Sequence, residues 1–204
     1  MSTALSWGLS ELAPSQSPHA VARCQADDTA VSVAVAMPDS LRLLVAADVG
    51  RHAMLVSHTF RRAVSQGASL GVIADLLDDA VTRVAMPSVC ATLVDITAAG
   101  FAVLHRGGPT PVVVRADGAL ARVIPAVPGA PLGPHESTSS NGPGELVPAS
   151  AGDILLVTTP GSVEPAIHAL AAADRPTMAD LWNALRDMGP LSAGSAYALV
   201  GRPS

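Results

Sequence analysis

The segment from residue 29 to residue 48 constrains the fold more than any other part of the chain. In TAVSVAVAM (29–37), bulky aliphatic side chains alternate with small residues, which is the period-two pattern of a strand with one buried face. LRLLVAAD (41–48) is apolar on both faces and is predicted to be a second, more deeply buried strand. The intervening Pro38-Asp39-Ser40 is typical of a tight turn. The sequence therefore predicts an antiparallel hairpin that ends at Asp48.

A pair of helices is predicted to follow this hairpin. Residues 51–66 have a helical pattern that closes at Gly67, and the next segment places its apolar side chains on one stripe. Asp75, Asp78 and Asp79 lie on the other side of that second helix, which we interpret as a solvent-exposed face. Two helices side by side would cover one face of the predicted sheet.

The rest of the chain is predicted to return to strands. SVCATLVDI, FAVLHR and PVVVR after Pro87 indicate an antiparallel meander, and residues 125–151, rich in Pro, Gly and Ser, indicate a long surface loop. DILLVTT and the final SAYALVG indicate two further strands, with SVEPAIHALAAA and a segment capped by Thr177 and Asp180 as helices between them. Strand runs around a central helix pair favour an α+β layered domain over a repeated βαβ fold.

Composition limits the kinds of partner. The 204 residues are predicted to form one domain (1–204) with an aliphatic core, because 49% of residues are hydrophobic and only 2% are aromatic. The net charge is −5, and all twelve basic residues are scattered arginines, so neither a nucleic-acid patch nor an anionic-membrane patch is predicted. No leader or membrane-spanning stretch is visible, so we expect a cytoplasmic protein with Cys24 and Cys90 as free thiols.

Acidic residues stand at the ends of the first predicted strands. Asp27 and Asp28 precede the first strand of the hairpin, and Asp48 ends the second strand. Adjacent strands would bring these carboxylates to one edge of a sheet, where like charges need a cation or a proton to coexist. The residues alone leave two interpretations open, a metal or phosphoryl site and plain turn acids.

Several segments resemble, in order, motifs of the metal-dependent type 2C (PPM) serine/threonine phosphatases, in the bacterial branch of SpoIIE, RsbU and RsbX. Arg23-Cys24-Gln25-Ala26-Asp27-Asp28 has the family's spacing from an arginine to an acidic pair, and VAADVGRHA resembles the branch's Asp-Val-Ser-Gly-His-Gly helix entry. MPSVCATLVDI, HRGGPTPVVVRADG, PGAPLG and AGDILLVTTPGSVEPA resemble later motifs. The resemblance covers the chain from about Arg23 to Arg202.

The resemblance implies a layered β-sandwich of antiparallel sheets flanked by antiparallel helix pairs. It also implies a two-metal site, with Mn or Mg, that hydrolyses phosphoserine or phosphothreonine. By position, Asp48 would bridge the metals, Asp27 would bind the second metal and Asp28 would support it. Val49 stands where the family has a glycine whose carbonyl binds metal, and Arg23 stands where it has a phosphate contact.

The sequence departs from the family where the remaining metal ligands belong. Pro160 replaces the aspartate of the Thr-Asp-Gly motif, and Gly194-Ser195 replace an Asp-Asp pair before the last strand. Hard cations depend on the number and charge of their oxygen ligands, so at most one weakly held Mn or Mg ion is expected. Gly108 also replaces the histidine of the Gly-His-Pro turn.

Two functional hypotheses follow from this resemblance. The first is a pseudophosphatase that binds a regulatory phosphoprotein, such as a phosphorylated antagonist of an anti-sigma factor in sigma-factor partner switching. The second is a weakly active Mn- or Mg-dependent phosphoserine/phosphothreonine phosphatase. A structural or unrelated enzymatic role would be indicated if Asp27 and Asp48 were not neighbours in the fold.

Overall fold

The structure is a computed structural model that describes residues 15–17, 20–108, 111–122, 129–134, 144–160, 170, 177–187 and 191–202. Its strands are β1 (Ser15–Ser17), β2 (Ala20–Ala26), β3 (Val31–Ala36), β4 (Leu41–Ala46), β5 (Ala91–Thr97), β6 (Gly100–Arg106), β7 (Val112–Val114), β8 (Leu120–Arg122), β9 (Glu145–Pro148), β10 (Ile154–Thr158) and β11 (Ala196–Gly201). They form a six-stranded sheet in the order β1-β2-β11-β10-β7-β8 and a five-stranded sheet in the order β3-β4-β5-β6-β9. All strand pairs are antiparallel.

The helices lie on the outer faces of the sheets. A short 3-10 turn (Gly50–His52) leads into α1 (Ala53–Ser65), α2 (Leu70–Arg83) follows, and α3 (Met178–Asp187) comes late in the chain. The predicted cap of α3 is confirmed, because the Asp180 N–H donates to Thr177 Oγ1 over 3.2 Å and the Thr177 N–H donates to the Asp180 carboxylate over 2.9 Å. None of the helices that the structure describes is both long and apolar enough to cross a lipid bilayer.

Three layers of apolar side chains hold these elements together. The first lies between the two sheets and is built mostly from alanine, valine and leucine. The second joins the five-stranded sheet to α1 and α2, and the third joins the six-stranded sheet to α3 through Trp182 and Tyr197. The hairpin β3-β4, the helix pair and the α+β layered architecture are therefore confirmed. Small side chains on the inner strands let the two sheets approach closely although few aromatic residues are available.

Two sequence predictions about the middle of the chain were wrong. The strands after Pro87 are not one meander, because β5 and β6 belong to the five-stranded sheet whereas β7 and β8 pair in the other sheet beside β10. Val112–Val114 is buried on both faces and is therefore able to pack in either sheet, so its pattern carried no information about its partner. The predicted loop 125–151 contains the edge strand β9, whose residues are at most half-buried, as its mixed composition allows.

Other parts of that segment agree with the sequence or are not described. The GAPLG segment is ordered, with Leu132 buried and its N–H and C=O both bonded to Val89. Apart from Leu170, the predicted helix SVEPAIHALAAA lies outside the described residues, and so does SSNGP (139–143). The acidic face of α2 is exposed at Asp75 and Asp79, but Asp78 is half-buried and accepts a hydrogen bond of 2.7 Å from the Gly133 N–H. Asp78 therefore ties α2 to the GAPLG segment.

Replacing Asp153 by asparagine should destabilise the fold by about 2 kcal/mol at neutral pH. The buried carboxylate accepts hydrogen bonds of 2.9 Å each from the Ser150 N–H, the Ala116 N–H and the Arg115 guanidinium. Burial alone would raise the pKa of Asp153, but these bonds outweigh it and the pKa is lowered. The stabilisation is therefore present above the ordinary aspartate pKa and is lost as the pH falls through the lowered pKa.

Urea unfolding of both proteins at neutral and acidic pH measures this contribution. The gap between Asp153→Asn and the parent protein should close at acidic pH, where the parent carboxylate is protonated too. Asp117→Asn is the matched control, since the exposed Asp117 accepts one hydrogen bond from Ala119 in the neighbouring turn. A gap that is the same at both pH values would show that the charge of Asp153 contributes nothing.

Candidate functional site

The predicted site residues converge at one end of the sandwich. Because neighbouring strands are antiparallel, β2, β4 and β10 end where β5 and β11 begin, so their flanking loops meet there. Backbone hydrogen bonds join these loops, from the Asp27 N–H to the Ser195 C=O, from the Ala47 N–H to the Cys90 C=O and from the Gly50 N–H to the Thr29 C=O, each 3.0 Å long. Asp27, Asp48 and Gly194 are thereby brought together across both sheets.

Asp27 is already supplied with hydrogen-bond donors from the protein. Its Oδ1 accepts a bond of 3.0 Å from the Thr29 N–H, and its Oδ2 accepts a bond of 2.9 Å from the Gly194 N–H. Thr29 Oγ1 lies 3.2 Å from Oδ1 and 3.1 Å from Oδ2. Thr29 Oγ1 also accepts from the Gly194 N–H over 2.8 Å. Both oxygens of the carboxylate are therefore hydrogen-bonded by donors of its own chain.

Gly194 lies directly against Asp48. A Cβ atom built on Gly194 would lie 1.9 Å from Asp48 Oδ1 and 2.8 Å from Asp48 Cγ, and the residue has a φ of +76°. Asp48 itself has a φ of +52°, an unusual backbone conformation for a residue other than glycine, and its side chain is exposed. The glycine thus allows the 191–195 turn to pack on the carboxylate with no side chain between them.

The other predicted site residues have different surroundings. The Arg23 guanidinium lies 5.7 Å from the centre of the Trp182 ring, on the α3 side of the six-stranded sheet, because its strand neighbours Ala22 and Cys24 point between the sheets. Val49 is buried, and its C=O accepts a bond of 3.0 Å from the His52 N–H. Asp28 is exposed beside Asp27. The phosphate-contact role of Arg23 and the metal-ligand roles of Asp28 and Val49 stay predictions.

At the positions where the resemblance implies the remaining aspartates, this chain carries no carboxylate. Pro160 is exposed at the end of β10 and offers no side-chain donor atom. Ser195 is buried, with its Oγ 2.7 Å from Ser192 Oγ. The preceding Thr159 is also occupied, since its Oγ1 accepts a bond of 2.8 Å from the Ala196 N–H. The polar side chains of the turns that flank the site therefore already have hydrogen-bond partners in those turns.

The donor set does not fit a pair of divalent cations. Two such ions need several anionic oxygens, whereas Gly194 contributes an N–H, the wrong polarity for a cation, and directs it at Asp27 Oδ2. Within the described part of the chain, no group of three or more His, Cys, Asp or Glu side chains is placed to hold an ion. Of the two aspartates that the resemblance makes direct metal ligands, Asp27 is hydrogen-bonded within the chain, whereas Asp48 is exposed and makes no hydrogen bond to the described residues.

Sequence reasoning missed Thr29 and the backbone of Gly194 as parts of this site. The Asp27-x-Thr29 spacing could have revealed Thr29, because an aspartate that accepts from the N–H two residues later forms a common local turn. No local pattern could reveal Gly194, which lies 167 residues from its hydrogen-bond partner. Only the pairing of β11 with β2 brings the two together.

Cys90 lies at the same end of the sandwich, at the start of β5, and is not suited to act as a nucleophile. Burial raises the pKa of its thiol, and the negative charge of Asp48 raises it further. The reactive form of cysteine is the thiolate, which both effects disfavour at neutral pH. Cys24 is more deeply buried, and burial raises its pKa to about 11. Both cysteines are free thiols, as predicted from the sequence.

His105 was not singled out from the sequence and fixes the turn beside the site. Its Nδ1 lies 2.9 Å from Thr92 Oγ1 and its Nε2 lies 3.1 Å from the Gly108 C=O. A neutral ring that donates from Nε2 and accepts at Nδ1 satisfies both contacts. Burial lowers the pKa of His105, although the bond to Gly108 opposes this effect.

The free energy of unfolding should rise with pH in the range just below the ordinary histidine pKa of about 6.5. A lowered pKa means that the unfolded chain binds the His105 proton where the folded chain does not, so stability is complete above that range and falls below it. His105→Gln should lack this part of the pH dependence, as measured by urea unfolding across the range. The same slope in the variant would assign the effect to another group.

Solved structures provide the comparison with known proteins, since no family model matches the chain and no curated protein matches its sequence. The RsbU and RsbW domains of a Mycobacterium tuberculosis protein superpose with a TM-score of 0.72 and 19% identity, over 92% of this chain and 62% of that one. RsbX in complex with magnesium gives 0.67 and 14%, over 94% and 99%. The PP2C phosphatase domain of SpoIIE from Bacillus subtilis, with a fragment of its regulatory domain, gives 0.65 and 11%, over 86% and 58%.

These similarities establish the architecture of the chain. The sequence identities are all below 20%, so these similarities show the fold of the chain and not the chemistry of its site. The chain spans 62% and 58% of the Mycobacterium and SpoIIE chains, and nearly all of RsbX. The layered β-sandwich expected from the sequence motifs is confirmed by this match.

Proposed function

Because the chain has the fold of the PP2C-type (PPM) phosphatase domains, we propose that it is a regulatory protein of that fold that binds a phosphoprotein partner without turning it over. The observation that carries this proposal is the hydrogen bond of 2.9 Å from the Gly194 N–H to Asp27. A backbone donor, fixed by the fold, meets a carboxylate where the family resemblance would put a metal ligand. The same glycine also lies directly against Asp48, so one residue of this turn contacts both carboxylates.

The chemistry of hard cations supports this assignment. Mg²⁺ demands near-ideal octahedral coordination and Mn²⁺ favours similar oxygen ligands, so both lose affinity steeply when anionic ligands are removed. Pro160 and Gly194 contribute no side-chain oxygen, and the bonds that Asp27 accepts from Thr29 and Gly194 leave fewer of its lone pairs for an ion. Without two ions, the chain lacks the activated water that phosphoryl hydrolysis in a two-metal site requires.

A regulatory protein is the partner that the fold comparison favours. The matched structures include a chain that carries RsbU and RsbW domains, of which this protein spans 62%, and a structure described under the bacterial stressosome. By analogy, we propose that this protein acts in the cytoplasm on a protein of a partner-switching system, with a phosphorylated antagonist of an anti-sigma factor as the candidate. In this role, sequestration of the partner replaces dephosphorylation.

A second candidate function is a weakly active phosphatase that uses one Mn or Mg ion. It is favoured by Asp48, whose exposed carboxylate remains near Asp27 at the end of β4. Such an enzyme would hold the ion through Asp48 and the lone pairs of Asp27 that the Thr29 and Gly194 N–H groups leave free. We rank it below the binding role because Pro160 and Gly194 supply no further carboxylate to the ion.

Calorimetric titration with Mn²⁺, followed by phosphate release from an aryl phosphate and a phosphoserine peptide, tests the two candidates. We expect no tight ion and no phosphate release. Asp48→Asn is the control that removes the charge of the predicted bridging ligand without changing its size. Mn²⁺-dependent turnover that disappears in Asp48→Asn would establish the enzyme and overturn the binding role.

A further inference from the structure

The outer face of α1 carries positive charge that no neighbouring acid neutralises. Residues 51–66 contain three arginines and two histidines and no acidic residue, although the chain as a whole has a net charge of −5. Arg42, Arg83, Arg106 and Arg115 each lie within 4.0 Å of a carboxylate. By contrast, Arg51, Arg61 and Arg62 are exposed and form no ion pair with the residues that the structure describes. The positive face of α1 is therefore available to a partner.

A groove runs between this face and strand β3, and we call it the α1–β3 groove. It has a volume of about 350 Å³ and is lined by Ala26, Ala30, Val31, Ser32, Val33, Ala53, Met54, Ser57, His58 and Arg61. None of these lining residues is acidic. Met54 is 85% exposed, which is unusual for so large an apolar side chain in a layered domain. The groove thus combines an apolar floor, an exposed methionine and two basic side chains.

The neighbouring groove between α1 and α2 is different. It is larger, about 480 Å³, but Asp79 lines it together with Arg62 and Arg83, and Asp79 pairs with Arg83 over 2.6 Å. The single acid of this groove is therefore already paired with one of its two arginines. The α1–β3 groove has no acidic lining residue, and it begins next to Asp27 because Ala26 and Ala30 flank that turn.

We propose that the α1–β3 groove docks an acidic segment of the partner protein. An apolar side chain of the segment would seat against Met54 while its carboxylates face Arg61 and His58. The exposed Asp28 near the other end of the groove disfavours acid there, so the acidic part of the segment lies toward Arg61. A membrane surface fits less well, because the apolar side chains Val56, Phe60, Ala63 and Val64 of α1 are already buried against the sheet. This inference rests on the proposed binding role, whose partner it describes.

Fluorescence anisotropy with a labelled acidic peptide that contains a central leucine tests the groove. The same peptide with lysine in place of each acid, and vesicles of anionic lipid, are the comparison probes. We expect the acidic peptide alone to bind, with affinity falling as salt is raised. Arg61→Glu should weaken binding about tenfold or more, equivalent to about 1.4 kcal/mol or more, and Met54→Ser should weaken it too.

Arg186→Glu is the matched control, since Arg186 is an exposed arginine on α3, packed on the other sheet. It should leave peptide binding unchanged, and thermal unfolding should show that all three variants fold. The groove assignment is overturned if the acidic peptide does not bind, if Arg186→Glu weakens it equally, or if vesicles bind through Arg61. Mn²⁺-dependent phosphate release would instead overturn the proposed function, so the two failures are distinguishable.

Discussion

Replacing Gly194 by alanine should destabilise the protein by about 2–5 kcal/mol and disturb the candidate site. A residue with a Cβ at a φ of +76° costs about 1–2 kcal/mol. The new methyl group would also lie 1.9 Å from Asp48 Oδ1, so either the carboxylate or the turn must move, at a further cost of about 1–3 kcal/mol. Urea unfolding measures the sum, and amide NMR shifts of Asp27 and Thr29 report whether the turn has moved.

Gly67→Ala separates the two contributions. Gly67 has a φ of +73°, almost the same as Gly194, but a Cβ atom added there would meet nothing within 4 Å. The difference between the two variants therefore measures the contact with Asp48 alone. Adding Asp48→Ala to Gly194→Ala should recover that difference, as a coupling energy in a double-mutant cycle. Equal losses in Gly194→Ala and Gly67→Ala would mean that Gly194 and Asp48 are not in contact.

Replacing Asp27 by alanine should cost about 2–3 kcal/mol, and the cost should be the same in EDTA and in excess Mn²⁺. The carboxylate joins the β2–β3 turn to the turn before β11, and hydrogen bonds to a charged group contribute about 1.5–3 kcal/mol. Asp27→Asn should not restore stability, because whichever way the amide is oriented, its NH₂ group faces an N–H donor. Urea unfolding of each protein under both conditions gives the comparison.

Asp28→Asn is the control for this prediction. Asp28 is the adjacent, exposed acid, and a surface substitution of this kind changes stability by less than about 0.5 kcal/mol. If Asp27 instead holds an ion, the parent protein will lose stability in EDTA and Asp27→Ala will become insensitive to Mn²⁺. That pattern would contradict the internal hydrogen bonding of Asp27 and favour the weakly active enzyme.

The sequence alone determined the local elements of this protein and the class of its fold. The alternation in β3, the apolar run of β4 and the cap of α3 are local signals, since each depends on residues a few positions apart. The order of the motifs along the chain also predicted the layered architecture. The same motifs identified Asp27 and Asp48 as candidate site residues, and the fold does bring these two residues to the same end of the sandwich. The absence of a carboxylate at Pro160 and at Gly194 could also be read directly from the sequence, without any structure.

Only the tertiary structure decided how strands are divided between sheets and what surrounds each carboxylate. Val112–Val114 is apolar on both faces, so its place beside β10 depends on the chain crossing between sheets after β6. Arg23 follows the strand's alternation to the Trp182 side, whereas its motif alone suggested the site. The bond from Gly194 to Asp27 joins residues 167 positions apart, and contacts of that kind are specified by the packing of whole sheets rather than by any local pattern.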